Sequence, residues 1–243
     1  MLGLPETIRA CLFDLDGVLT QTAKVHQAAW KRTFDDLLRQ RDGDGFSPFS
    51  PADYNEYVDG KPRRDGVRDF LASRGIELAE GDPADPADAD TVAGVGNRKN
   101  ELLLAEIDEH GVEAYEGSLR YARAAKEAGL AAAVVTASAN GEQVIAAAGY
   151  ADLITARIDG VVAARDKLRG KPAPDSFLAG ARALGVLPSE AAVFEDALAG
   201  VAAGRAGDFG FVVGVDRVGQ GPELAARGAD VVVTDLDELL DPA

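Results

Sequence analysis

Two acidic residues, Asp14 and Asp16, follow the apolar run Ile8-Arg9-Ala10-Cys11-Leu12-Phe13. Side chains alternate along a strand, so the two carboxylates point the same way if the strand persists that far. Together they lose solvation and repel each other. Gly17 then turns the chain out of the sheet. A second acid pair, Glu195-Asp196, ends a later apolar run. If the two strands are neighbours, three or four carboxylates meet at one edge, and hard oxygen ligands gathered beside phosphate suit Mg²⁺. Thr136 ends another apolar run and leads into Ala137-Ser138-Ala139-Asn140-Gly141. Hydroxyls, an amide and N–H groups at a helix start make an anion site. Ser138 and Asn140 equally suit the capping of a helix that begins near Gly141. Lys171, in RGKPAPDSF, precedes a helix that Asp175 is expected to cap, with Pro172 and Pro174 stiffening the approach. A lysine fixed beside a hydroxyl and a cation suits a phosphoryl group.

The elements that must position these residues follow a repeated grammar. LRYARAAKEAGLAAAVVT, FLAGARALGVLPSEAAVFED and ELAARGADVVVTD each read as helix, glycine, apolar strand, polar end. GFVVGVD (210–216) adds a strand. Helix–glycine–strand repetition predicts a parallel α/β sheet, whose ligands bind at the carboxyl edge of the strands. Residues 22–109 are different, mostly helical with no convincing buried strand. His26, Trp30 and Phe34 fall at i, i+4 and i+8 on one helix face. AEGDPADPADADTVAGVG (79–96) reads as a loose surface loop. A helical insert therefore interrupts an α/β domain after its first strand.

The chain has 243 residues, 47% hydrophobic and 27% charged, enough for a core that needs no disulfide. Its single cysteine, Cys11, lies inside the first apolar run and fits a reducing compartment. The formal charge of −16 argues against nucleic acid and anionic lipid as partners. The N-terminus has no signal-peptide core, and no stretch approaches the roughly 20 apolar residues of a membrane span. We expect a cytoplasmic monomer acting on a small molecule.

DLDGVLT, VVTASAN, GKPAPD and FEDALAG occur in the order and rough spacing of the four motifs of the haloacid dehalogenase superfamily. The set resembles the β-phosphoglucomutase family within it, over nearly the whole chain. The resemblance implies an α/β fold: a Rossmann-like core over 1–21 and 110–243, with an inserted α-helical cap over 22–109. It implies Asp14 as the nucleophile that becomes an aspartyl phosphate, and Asp16 as general acid and base. It implies Mg²⁺ held by Asp14, the Asp16 carbonyl and Asp196, with Glu195 as a direct or indirect ligand. Thr136 and Lys171 would grip the transferring phosphoryl group, with Ser138 and Asn140 lining the pocket. In the cap, Arg63 and Lys99 match positions that face the site, and His26 and Trp30 match positions near the hinge and the sugar. Where the family pattern has an acid between Thr20 and Thr22, this chain has Gln21.

The activity so implied is conversion of β-glucose 1-phosphate to glucose 6-phosphate, with glucose 1,6-bisphosphate as intermediate and activator. The alternative is a sugar-phosphate phosphatase, in which water takes the phosphoryl group from Asp14. Two basic cap residues suit a substrate with a second phosphate and favour the mutase; Gln21 leaves the phosphatase open. A non-catalytic binding protein on the same fold would be marked by loss of the nucleophile or the lysine, and both are present.

Overall fold

The computed structural model describes residues 2–240. In chain order its helices are α1 (Thr22–Asp42), α2 (Pro51–Asp53), α3 (Arg63–Ser73), α4 (Val92–His110), α5 (Glu116–Glu127), α6 (Gly141–Ala147), α7 (Gly160–Arg165), α8 (Asp175–Leu184), α9 (Leu198–Ala206) and α10 (Gly221–Ala226). The strands are β1 (Ala10–Phe13), β2 (Ala131–Val135), β3 (Ala156–Ile158), β4 (Ala191–Glu195), β5 (Phe211–Val215) and β6 (Val231–Val233). The chain divides into two units, Met1–Gln21 with Val112–Ala243, and Thr22–Gly111.

The first unit is built on one six-stranded sheet of order β3-β2-β1-β4-β5-β6, with every pairing parallel. Every residue of β1 and β4 is buried, as expected of strands covered on both faces. Phe13 stacks on Phe194 at 4.6 Å, and Tyr121 of α5 meets Phe13 edge-on. The opposite face packs Leu12, Val135 and Val193 against Phe177 and Ala181 of α8 and Val201 of α9. Gly185 ends α8 in the left-handed conformation, with φ 71°, and releases the chain towards β4. The order of connection reverses at β1, so its carboxyl end is the switch point where α/β sheets place their ligands.

Two local expectations change. Asp175 does not cap α8. Pro174 stands at the cap, so Asp175 is already the first helical residue, and its carboxylate accepts from Arg169 instead, at 2.8 Å from a terminal guanidinium nitrogen. The stretch 79–96 is not loose throughout. Thr91 accepts from the Gly94 N–H and donates to Asp85, and the Val92–Gly96 turn of α4 is buried.

The second unit packs α1, α3 and α4 around Trp30, Phe34, Leu38, Phe49, Phe70 and Val95. Trp30 stacks on Phe34 at 5.0 Å, and Phe34 lies 4.2 Å from Phe70. Burying rings of this size supplies about 2–3 kcal/mol each, the main stabilisation available to a small helical unit. Among the described residues no helix is long and apolar enough to cross a membrane.

Candidate active site

The sheet register brings the chemical residues together. Phe13 pairs with Val134 on one side and Phe194 on the other. Asp14 follows one residue later, and its N–H still donates to the Phe194 carbonyl at 2.9 Å. Thr136, after β2, and Glu195-Asp196, at the end of β4, thus flank Asp14 at the carboxyl edge. Asp14, Thr136, Lys171, Glu195 and Asp196 are all buried.

Lys171 occupies the centre. Its Nζ donates to Asp14 Oδ1 at 2.5 Å, to Glu195 Oε1 at 2.7 Å and to the Val135 carbonyl at 3.2 Å, over the Phe177 ring. Burial alone would strip its proton, but the carboxylates of Asp14 and Glu195 more than offset this and hold its pKa above the usual lysine value. Burial pushes the Asp14 carboxyl well above the usual range; Lys171 opposes the rise, while Glu195 and Asp16 add to it. Thr136 Oγ1 stands 3.4 Å from Asp16 Oδ2, which joins the second acid to the cluster.

Glu195 is held through both carboxylate oxygens. One oxygen is taken by Lys171 and the other accepts from the Ala197 N–H at 2.7 Å, so the side chain is the counter-ion of Lys171. Among the described residues no three His, Cys, Asp or Glu side chains lie together as a ready metal site. The donor chemistry still fits Mg²⁺, which is typically held by one or two carboxylates and fills its shell with water and phosphate oxygens. Asp14, Glu195 and Asp196 set three buried carboxylates against the single buried ammonium of Lys171, an excess of negative charge that a divalent cation would offset.

Two glycines make room for the acids. Gly17 has φ 92°, and a Cβ there would fall 1.8 Å from Asp196 Oδ2. On α9, a Cβ at Gly200 would fall 1.6 Å from Glu195 Oε1. Their motifs quote them, but only the folded chain shows that each is a space for a carboxylate from the same edge.

The loop after Thr136 is more self-contained than an open anion cradle. Ser138 N–H donates to Thr136 Oγ1 at 3.0 Å, and Asn140 N–H donates to Ser138 Oγ at 3.2 Å. Two of the N–H groups expected to be free are therefore used. Asn140 stands at the start of α6 without a side-chain cap bond.

The remaining predicted residues lie in the helical unit. Lys99 is buried on α4, with Nζ 3.0 Å from His26 Nδ1 and 5.2 Å from the centre of the Trp30 ring. Trp30 is itself 4% exposed and stacked on Phe34, so it is a core residue that floors Lys99 rather than an open platform for a sugar. Arg63 begins α3, and its stem packs beside Gly96, one helical turn before Lys99. Burial, and then Arg64, lower its pKa. Among the described residues Arg63 has no acceptor or ion-pair partner.

The chain's likeness to known proteins agrees with this geometry. The profile of the haloacid dehalogenase-like hydrolases matches residues 8–208. A β-phosphoglucomutase of Mycobacterium bovis is 56% identical over 247 residues, covering 99% of this chain and 94% of that one. A β-phosphoglucomutase of Bacillus subtilis is 30% identical, covering 96% of this chain and 92% of that one. The crystal structure of a β-phosphoglucomutase from Clostridium difficile superposes with a TM-score of 0.77 at 25% identity, covering 96% of this chain and 93% of that one. The sheet, the order of its motifs and these matches lead to one conclusion: the chain belongs to the haloacid dehalogenase-like hydrolase family.

Proposed function

We propose that the protein is a Mg²⁺-dependent β-phosphoglucomutase, converting β-glucose 1-phosphate to glucose 6-phosphate. The observation that carries this reading is the 56% identity to the mycobacterial enzyme over 99% of this chain, helical unit included. Asp14 is the nucleophile. In its phosphorylated form it passes the phosphoryl group to the C6 hydroxyl of β-glucose 1-phosphate, whose proton goes to Asp16. The resulting glucose 1,6-bisphosphate turns over in the site. Asp14 then attacks the C1 phosphoryl group, Asp16 returns the proton to the leaving C1 oxygen, and glucose 6-phosphate departs. Lys171 stays charged between Asp14 and Glu195, so it meets the transferring oxygens as an ammonium. Thr136, Ser138 and Asn140 complete the cradle. Asp14, the Asp16 carbonyl and Asp196 would hold Mg²⁺, which when bound keeps Asp14 ionised and draws charge from the phosphoryl oxygens.

Arg63 supports the mutase specifically. A half-buried guanidinium with no acceptor or ion-pair partner among the described residues, beside a second arginine, suits the distal phosphate that a mutase must hold and a simple phosphatase need not. The second reading is a sugar-phosphate phosphatase, favoured by Gln21 and by the family's hydrolase description. Cys11, buried and unpaired, suits work in the cytoplasm, and we take the protein to act there as a monomer. Asp14→Asn tests the reading: turnover should vanish while the unfolding temperature holds, and an active Asp14→Asn protein would overturn the nucleophile assignment.

A further inference from the structure

The loop after β5 lies outside all four motifs, yet its side chains reach the segments that carry the acids. Asp216 orders this loop. Its Oδ1 accepts from the backbone N–H groups of Val218, Gly219 and Gln220 at 3.2, 2.7 and 2.8 Å, and its Oδ2 accepts from Gly221 at 3.0 Å. A carboxylate that gathers four N–H donors fixes the local backbone. From the loop so held, Gln220 Nε2 donates to the Asp196 carbonyl at 2.9 Å. Arg217 Nε donates to the Gly17 carbonyl at 2.9 Å, and one terminal nitrogen reaches the Val18 carbonyl at 3.4 Å.

Arg217 is itself tightly held. Its other terminal nitrogen donates to the Thr234 carbonyl at 2.6 Å and pairs with Asp235 at 3.5 Å. Its guanidinium lies 3.6 Å over the Tyr115 ring. The side chain is only 13% exposed, so water competes little for these contacts. Ser118 Oγ, fully buried, donates to the same Val18 carbonyl at 2.6 Å. The turn after Asp16 is thus gripped through the Gly17 and Val18 carbonyls from one side, and Asp196 through its carbonyl from the same loop.

The two gripped segments touch each other, since the space where Gly17 lacks a side chain is filled by the Asp196 carboxylate. A small shift of either would change the gap between them. We infer that Arg217 and Gln220 are positioning residues: they set the separation of the Asp16–Gly17 turn from Asp196, and so the oxygen set offered to a divalent cation. The inference rests on the phosphotransferase reading. Neither residue touches substrate in this account; Gln220 acts through the main chain of Asp196, and Arg217 through the Gly17 and Val18 carbonyls that follow Asp16.

The test measures Mn²⁺ binding by electron paramagnetic resonance, with Mg²⁺ as competitor, on the full chain. Gln220→Ala, Gln220→Met and Arg217→Lys are compared with wild type. Met keeps the length of Gln without its donors, so it separates the hydrogen bond from packing. Outer-shell partners of metal ligands typically change affinity 10–100-fold. We expect each variant to bind Mn²⁺ roughly 10-fold more weakly, with the metal-free unfolding temperature held and kcat recovered at saturating Mg²⁺. If Arg217→Lys fails to fold, the two Gln220 variants carry the test. Wild-type affinity in both Gln220 variants would overturn the inference alone. A wild-type protein that binds neither ion would overturn the phosphotransferase reading, and this inference with it.

Discussion

Lys171 and Glu195 form an ion pair of 2.7 Å in which the side chains are 2% and 0% exposed. Glu195 also accepts from the Ala197 N–H, so both of its oxygens are held by the protein. A buried pair of this kind contributes little net stability, but removing one partner strands a charge in a dry site.

Lys171→Met should therefore destabilise the metal-free protein by about 3–5 kcal/mol at pH 7. The sign of its pH dependence follows from the acids. Burial raises the Asp14 carboxyl, and Glu195 and Asp16 raise it further, so protonation favours the fold, and more strongly once Lys171 is gone. The stability gap between variant and wild type should narrow as pH falls from the raised Asp14 range towards the ordinary carboxylate value, and level off below it. Chemical denaturation in EDTA at several pH values measures it, and a gap that widens towards acid would contradict the assignment.

Gly17→Ala places a Cβ 1.8 Å from Asp196 Oδ2 at a backbone φ of 92°. Both effects act on the same turn. Misplacing a catalytic group by about 1 Å can cost around 100-fold in rate, and we expect kcat to fall by at least that factor. Steady-state kinetics beside a melting curve checks it. Gly200→Ala, which meets Glu195 from α9, should instead cost stability, by roughly 1–3 kcal/mol.

Much of this edge is legible in the chain. Apolar runs that end in Asp14, Thr136 and Glu195-Asp196 announce strands whose polar ends share one side of a parallel sheet. The short strand β3 is harder to read, because three residues with Arg157 in the middle carry no apolar run. Val92–Gly96 reads as loop because its residues are small and follow a Pro- and Asp-rich stretch, yet that smallness lets α4 pack closely. The pairing of Glu195 with Lys171 is hidden in the sequence because Lys171 arrives from another loop. Arg217 and Gln220 are the least legible, since the atoms they bind are carbonyl oxygens, which every residue has and no side chain marks.

Cys11 is buried in β1, and burial pushes its thiol up to about 12. At pH 8 it should stay neutral and shielded. A chromogenic disulfide reagent should find no reactive thiol in the native protein and one after unfolding.

Asp216 should show the opposite sign. Burial raises its carboxyl, but the backbone N–H groups of Gln220, Gly219, Val218 and Gly221 outweigh this and hold it below the usual range. Its stabilising effect is present above the unfolded-state value and is lost as pH falls through the folded one. Asp216→Ala should cost about 1–2 kcal/mol at pH 7, as lost caps do, with the difference fading in acid. Thermal unfolding against pH reads this directly.

Trp30 is the chain's single tryptophan and lies beneath Lys99. Its native emission should be blue-shifted, and Lys99→Met should change its intensity while leaving the emission maximum of a buried ring. An emission maximum typical of a water-exposed indole in the native protein would contradict its place in the core of the helical unit.

The central claim is tested most directly by one assay with two readouts. The protein is incubated with Mg²⁺, β-glucose 1-phosphate and a trace of glucose 1,6-bisphosphate, and glucose 6-phosphate and free phosphate are followed together. The account predicts that glucose 6-phosphate far outruns free phosphate, and that Asp14→Asn yields neither. Free phosphate released without glucose 6-phosphate would contradict the mutase and assign the same residues to a phosphatase.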